Sequence, residues 1–386
     1  MRIATMVEQS VPDSWGTHIS MAIWDGARII SSYTGEDGDP LIGHFGSGGA
    51  VIDLSYCGRF AAATAGDRHG PEGHGVLVLS DDGAVTPLWG KRGRTANNVA
   101  PGAQFSPDGY LYKWDGTERC RVGEWAPEPT GIPPGAYFFK IDGANNCAWV
   151  AYLDPITQGP TAQLKRFELS THSEVPLGFD MPDIPGERNW LSVATSPSGD
   201  FIDLGIAEQW PAPARRLLIN LTSGSVLAPR TEARPDSGPI AGRSVLGQTS
   251  LVRIGMPDSS NTIQIQVTDL STLLTTAAAP FTQASGTWGP IVTPSVGEGI
   301  SPGFLVDGGA IFLPSDGGSG FGETFSALSL VDGSMVAPPA AFEVQKVVPS
   351  PDGNYTCTYA AAAQPRILPP LPPGEVWNKF RYTREA

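Results

Sequence analysis

The chain has 386 residues, a formal net charge of −14 and a hydrophobic fraction of 40%. That apolar content excludes a disordered chain. The charge excludes direct capture of nucleic acid or an anionic membrane, because a phosphate-binding face needs clustered Lys and Arg.

Gly 47 and Pro 36 supply turn chemistry in bulk, as many short strands require. Helices are excluded by pattern, since no stretch holds an apolar helical period over several turns without meeting Gly or Pro. The most helix-like piece, Leu273 to Ala279, is short, Thr-rich and followed by Pro280. No run of roughly 18 apolar residues offers a membrane-spanning helix. The N-terminal stretch from Met1 reaches Glu8 before any apolar core develops, so no signal peptide is expected, and synthesis in a reducing cytoplasm follows.

In chain order, His18 to Trp24, the turn Asp25-Gly26 and Ala27 to Tyr33 read as strand, turn, strand. Gly35-Glu36-Asp37-Gly38-Asp39 offers oxygens to calcium but lacks the later bidentate Glu of an EF-hand loop, so a solvated turn is the simpler reading. The loop Asp67-Arg68-His69-Gly70-Pro71-Glu72-Gly73-His74 separates its histidines by Gly and Pro, which suits a polar loop better than paired metal ligands. Lys91-Arg92-Gly93-Arg94 is a basic knot and reads as a solvated loop tip.

Three segments share one pattern: Phe105-Ser106-Pro107-Asp108-Gly109-Tyr110, Thr195-Ser196-Pro197-Ser198-Gly199-Asp200 and Pro349-Ser350-Pro351-Asp352-Gly353-Asn354. Pro fixes φ at the first corner, the Asp or Ser caps the backbone, and Gly takes positive φ, so each is a hairpin turn. Degenerate copies are Ser55-Tyr56-Cys57-Gly58-Arg59, Asp142-Gly143-Ala144-Asn145-Asn146, Ala241-Gly242-Arg243-Ser244 and Val306-Asp307-Gly308-Gly309. A second turn follows several of them at steady offset: Gly83 stands 25 residues beyond Gly58, Gly224 beyond Gly199, and Gly333 beyond Gly308. Thr171 stands likewise to Asn146, and Ser271-Thr272 lies near that distance from Gly247. Two hairpins at fixed offset, recurring about every 50 residues, describe a four-stranded antiparallel blade.

First hairpins fall near residues 58, 109, 146, 199, 243, 308 and 353. The expected fold is therefore all-β: a seven-bladed β-propeller closed by N- and C-terminal strands, with six or eight blades as the alternative counts. Residues 1–366 form the propeller, with strands at about 18–33 completing the last blade, and residues 367–386 form a Pro-rich C-terminal arm. Val376 to Tyr382 competes for the third strand of that closing blade. Blade two is irregular, holding Pro127, Pro129, Pro133 and Pro134. The Ser-Pro-Asp-Gly turns, followed by turns such as Leu330-Val331-Asp332-Gly333, resemble those of WD-repeat and TolB-like propellers. That resemblance implies a fold and carries no chemistry, because these turns are structural.

No residue stands out as catalytic, cofactor-binding or metal-ligating, and no cofactor is implied. There is no Gly-x-Ser-x-Gly elbow ahead of a helix. Cys57, Cys120, Cys147 and Cys357 lie far apart without a Cys-x-x-Cys pair and read as buried thiols. His18, His44 and His172 are isolated. Ser80-Asp81-Asp82-Gly83-Ala84-Val85-Thr86 approaches a sialidase Asp-box, but its spacing is out by one and no Trp follows the Thr. Trp24, Trp89, Trp114, Trp125, Trp149, Trp190, Trp210 and Trp288 fall in or beside strands, where they wedge between blades.

The expected role is a non-enzymatic structural or interaction propeller whose partners are other protein subunits, a homo-oligomeric ring being one form. The acidic total and idiosyncratic blades resemble a phage virion component, a tail nozzle or tail-attached protein, whose acidic lumen would repel DNA. In that reading the segment Ile367 to Pro373 is a stiff arm reaching onto a neighbour. Two readings compete with it: a bacterial cytoplasmic scaffold, and a carbohydrate-active or lactonase-like enzyme with its site at the central pore.

Overall fold

The computed structural model describes residues 2–10, 17–25, 28–34, 51–64, 75–89, 102–152, 163–181, 188–196, 198–208, 214–232, 243–246, 250–254, 262–263, 265–272, 275–277, 281–282, 304–306, 310–315, 324–329, 335–336 and 356–362. All regular structure among them is β-strand. The chain opens with β1 (Arg2–Ser10), β2 (Thr17–Asp25) and β3 (Arg28–Thr34). Blade 1 follows as β4 (Val51–Leu54), β5 (Phe60–Thr64), β6 (Val76–Ser80) and β7 (Val85–Leu88). Blade 2 is β8 (Gln104–Phe105), β9 (Tyr110–Tyr112), β10 (Glu118–Arg121) and β11 (Pro127–Pro129). Blade 3 is β12 (Ala136–Asp142), β13 (Cys147–Tyr152), β14 (Gln163–Glu168) and β15 (Glu174–Val175). Blade 4 is β16 (Arg188–Thr195), β17 (Phe201–Glu208), β18 (Ala214–Asn220) and β19 (Ser225–Glu232).

Blade 5 comprises β20 (Arg243–Leu246), β21 (Ser250–Ile254), β23 (Ile265–Asp269) and β24 (Thr275–Ala277). A separate ribbon pairs β22 (Thr262–Ile263) with β25 (Phe281–Thr282). Blade 6 is β26 (Phe304–Val306), β27 (Ala310–Ser315), β28 (Thr324–Ser329) and β29 (Met335–Val336), and β30 (Thr356–Ala362) ends the described chain. The closing sheet takes the order β3-β2-β1-β30. Among the described residues there are thus seven four-stranded antiparallel sheets. Their first strands touch in series, β30 to β4, then β8, β12, β16, β20 and β26, and β27 returns to β30. This is a β-propeller closed by both chain ends.

Side-chain alternation explains the packing. In β5 every residue is buried, and so is every residue of β6. Ala61, Ala63, Leu77 and Leu79 pack against Ala4, Met6, Met21 and Ile23 of the closing sheet. The intervening Phe60, Ala62, Val76 and Val78 pack the other way, against Phe105, Leu111 and Cys120 of blade 2. A strand covered on both faces keeps no polar side, so its alternation divides one apolar run between two neighbours. The same sharing continues from blade 2 to blade 3 around Tyr112 and Phe139, and from blade 3 to blade 4 around Trp149 and Leu204. The core is therefore a ring of layers between sheets.

In blades 1 to 4 the first hairpin is built on one buried polar residue. Ser55, Ser106 and Ser196 are each 1% exposed. Ser55 Oγ accepts the Phe60 N–H (3.0 Å), Ser106 Oγ the Tyr110 N–H (3.3 Å) and Ser196 Oγ the Phe201 N–H (3.0 Å). Gly58, Gly109 and Gly199 take φ of 67°, 87° and 82°, where a side chain is strained. Blade 3 replaces the pair with Asp142 and with Asn146 at φ 49°, Asn being the residue that best tolerates this region after Gly.

Two expectations are corrected. The closing sheet's second strand is β1, inside the stretch read only as lacking a leader, so the N-terminus contributes three strands and the C-terminus one. A strand that ends in Glu8, Gln9 and Ser10 has too weak an alternation to be recognised without its partner. Arg243 and Ser244, read as part of a turn, lie in β20, which runs on to Leu246. The turn at Pro349–Asn354 and the segment Val376–Tyr382 lie outside the described residues.

Replacing Ser196 by Ala strands the Phe201 N–H next to a buried site and is expected to cost about 1–3 kcal/mol in urea unfolding. The exposed Ser223→Ala, which breaks only a 3.3 Å bond to the Ser225 N–H, is expected to cost less than about 0.5 kcal/mol.

Candidate interaction surface

An antiparallel four-strand blade turns first-to-second and third-to-fourth strand at one rim, and makes its other connections at the opposite rim. Here the two rims differ sharply. At the first rim the turns are residues 55–59, 81–84, 106–109, 122–126, 143–146, 169–173, 196–200 and 221–224. At the opposite rim the described connections are 113–117 and 130–135; the stretches between the other strand ends there, 35–50, 65–75, 89–103, 153–162, 176–187, 209–213 and 233–242, lie wholly or partly outside the described residues. The β22–β25 ribbon also belongs there, because β22 sits between the second and third strands of blade 5 and β25 between blades 5 and 6.

The short-turn rim is locked. In blades 1 to 4 the second turn donates to the first: Asp81 N–H to Arg59 C=O (2.8 Å), Val122 to Gly109 (3.0 Å), Leu169 to Asn146 (3.0 Å) and Leu221 to Asp200 (2.7 Å). Blade 1 adds a bidentate Arg59–Asp81 pair, Nε and Nη2 each 2.9 Å from a carboxylate oxygen. Hydrogen bonding to Asp81 is the main reason that the Arg59 pKa is raised. The Asp-box-like stretch thus forms this structural turn, with Ser80 Oγ bonded to Asp82.

Inner strands are stapled across blade seams. The Phe105 N–H donates to Asp53 Oδ2 (2.7 Å). Gln104 donates from Nε2 to the Phe139 C=O (2.8 Å) and accepts the Ile141 N–H at Oε1 (3.0 Å). Asp53 and Gln104 occupy equivalent places, two residues before the Ser55 and Ser106 caps. Buried Asp142 collects the Trp149 indole N–H (3.0 Å) and the Asn145 amide (2.9 Å).

On the long-connection rim the best-defined piece is the tight turn at 113–117. Lys113 Nζ pairs with Glu118 (2.8 Å) and lies 5.2 Å from the Trp114 ring centroid. Thr130, 7% exposed, donates through Oγ1 to the Gly116 C=O (2.6 Å) and props the turn from behind. Gly116 has φ 73°, and a Cβ there would meet the Phe139 ring at 2.4 Å, so only Gly fits.

The densest polar cluster spans the blade 2–blade 3 seam. Arg119 lies 3.8 Å from the Tyr110 ring centroid, pairs through Nε with Glu128 (2.7 Å), and donates through Nη1 to the Tyr112 hydroxyl (3.2 Å). Tyr112 is fully buried, and its hydroxyl stands 3.1 Å from His172 Nε2 and 3.4 Å from the Leu169 C=O. Burial raises the Tyr112 pKa, although the Arg119 hydrogen bond opposes it, so the hydroxyl keeps its proton. Burial, then the Arg119 charge, lower the His172 pKa, against Asp108 and Glu128, which raise it. The cluster holds its protons in place and ties two blades together.

The other singled-out residues divide between core and undescribed segments. Cys57, Cys120 and Cys147 are buried free thiols. Burial foremost pushes Cys120 and Cys147 up to about 12. Trp24, Trp114 and Trp149 are buried between sheets, while Trp89 and Trp125 take positive φ and pack against the blade 1–blade 2 layer. Trp190 lies in β16, His18 in β2 and Cys357 in β30. Residues 35–39, His44, His69, His74, Lys91 to Arg94, Trp210, Trp288 and the arm 367–386 lie outside the described residues. Among the described residues no three His, Cys, Asp or Glu side chains are placed to share a metal ion. The Tyr112–Arg119–His172 cluster was not legible in the sequence, since His172 reaches Tyr112 only across a seam.

No family model matches the chain, and no curated protein matches its sequence. Its fold is similar to that of the Dos1 propeller, with TM-score 0.42 and 12% identity, covering 83% of this chain and 81% of that one. It is also similar to TolB from Acinetobacter baumannii, with TM-score 0.38 and 11% identity over 86% and 78% of the two chains. For Saccharomyces cerevisiae Sqt1 the values are 0.48, 10%, 85% and 83%. At such identities no residue's role transfers. By its own sheets the chain is a β-propeller.

Because folding depresses the His172 pKa, the unfolded chain takes up a proton first as the pH falls. The stability this contributes is fully present above the ordinary value of 6.5 and is lost as the pH drops through the lowered folded-state value. An NMR titration of the imidazole is expected to give a midpoint below 6.5, and His172→Asn should flatten the fall in urea midpoint across that window. Cys120 and Cys147 should resist iodoacetamide in the native protein at pH 8 and label fully once it is denatured.

Proposed function

We propose that this chain works as a non-enzymatic interaction propeller, a rigid disc that receives other protein subunits on its long-connection rim. The contrast between the rims carries the reading. One rim is tight turns locked by buried caps and turn-to-turn hydrogen bonds; at the other the longer strand-to-strand connections begin and end, and the β22–β25 ribbon is paired there. Scaffolds that hold loops in fixed positions are well suited to recognition, because the ordering cost is met by the scaffold.

Within that class we place the chain in a large assembly, with a phage virion tail as the setting that its charge favours. A net charge of −14 repels nucleic acid from the disc and its channel, which suits a component that DNA slides past.

Light scattering of the purified protein tests the proposal, with a variant in which 35–50, 65–75 and 89–103 are each replaced by a short Asn-Gly turn. The expected result is an oligomer, or a complex recovered by cross-linking, that is lost in this variant and kept in Thr222→Glu on the opposite rim. A wild-type protein that stays monomeric at all concentrations and cross-links to no partner would overturn it.

A further inference from the structure

The closing sheet ends outward on β3, and no described strand lies beyond it. Most other outer strands are blunted in ways that discourage pairing. Pro87 interrupts β7, β11 is Pro127-Glu128-Pro129, and β19 contains Pro229. Strands β15 and β29 have two residues each and β24 has three. By contrast β3 has seven residues and no Pro. It also carries Ile29, 38% exposed and the one exposed large hydrophobic among the described residues. Alternate N–H and C=O groups along such an edge face outward and favour an added strand.

A segment with the right pattern leaves the same sheet. The chain after Ala362 runs Ala363 to Glu375, with Pro at 365, 369, 370, 372 and 373, and then Val376-Trp377-Asn378-Lys379-Phe380-Arg381-Tyr382. In a strand Val376, Asn378, Phe380 and Tyr382 would share one side, and Trp377, Lys379 and Arg381 the other. Lys379, Arg381 and Arg384 form a basic stretch on a chain of net charge −14. Pairing aligns Ala362 with Thr5, Thr5 with Ala22, and Ala22 with Ser32, so β30 leaves the sheet level with β3's own Ser32. Four strand spacings of ~4.8 Å put the position outside β3 about 19 Å away. The Pro-rich connection, at ~3.1 Å per residue, reaches about 40 Å.

We infer that residues 376–382 add to β3 as a fifth strand of the closing sheet, with 363–375 as the strap that carries them there. The arm then covers this chain's own open edge instead of reaching onto a neighbour, and it shields Ile29. It also holds the chain's C-terminal part across the seam where the ring closes, so the closing sheet is clasped from both sides.

Hydrogen exchange of residues 28–34 tests this in the full chain, in a chain ending at Glu375, and in full-length Asn378→Pro, which removes a strand donor without shortening the tail. The expected result is exchange about tenfold slower in the full chain than in either variant, independent of protein concentration. A Ser32→Cys substitution combined with single cysteines scanned through 376–382 should give an intramolecular disulfide at one or two positions, a readout that does not depend on stability. Equal exchange in all three chains, or protection that rises with concentration alongside the light-scattering mass, would show that the edge is open or covered by a second copy, and would sink the inference.

Discussion

The pairing of β1 with β30 is the contact on which the ring depends. Every other sheet is joined internally by chain connectivity, but here Thr5 to Ser10 meet Thr356 to Ala362 across nearly the whole chain. The loop-closure entropy of that contact is the largest in the molecule, though it grows only slowly with length. What offsets it is burial: Ala4, Met6, Met21 and Ile23 are all essentially inaccessible and pack on blade 1. Arg2 secures the same seam, 3.8 Å from Asp81 and 3.4 Å from Asp25. A ring closed in this way leaves no inner sheet edge for a foreign strand.

Closure sets the demands on everything else. Sheets covered on both faces can hold few polar groups, so the polar groups that remain buried are spent on geometry. Ser55, Ser106, Asp142 and Ser196 sit at the same place in four successive blades and satisfy the backbone of the hairpin that begins there. Asp53 and Gln104 bind the next blade's inner strand. These bonds rigidify one rim and the channel wall. The longer strand-to-strand connections begin and end at the other rim, where Thr130 holds the described turn at 113–117.

The blade 2–blade 3 seam shows how such a disc handles charge. Blade 2 has the shortest strands of blades 1 to 4, and at its seam Arg119 simultaneously faces Tyr110, Tyr112 and Glu128. His172, held at φ 55° in a turn of the next blade, completes the set. Burial first, and then the positive charge of Arg119, lower the pKa of the neighbouring imidazole.

Periodicity at short range was enough to read the strands, the Ser-Pro-Asp-Gly turns, the steady offset between paired turns and the closure by both ends, because turn chemistry and alternation are written in neighbouring residues. The burial of Cys57, Cys120 and Cys147 and of Trp24, Trp114 and Trp149 was legible for the same reason, since these types favour packing. Three things waited for the tertiary structure. One was β1, whose Glu8 and Gln9 blur the alternation until β30 lies beside it. Another was the start of β20 at Arg243, where a Gly and an Arg imitate a turn. The last was the Arg119–Tyr112–His172 cluster, made of residues up to 60 positions apart. Local sequence determines what a segment can become; which side chains meet across a seam is decided only when the sheets stack, because no local pattern encodes a contact between blades.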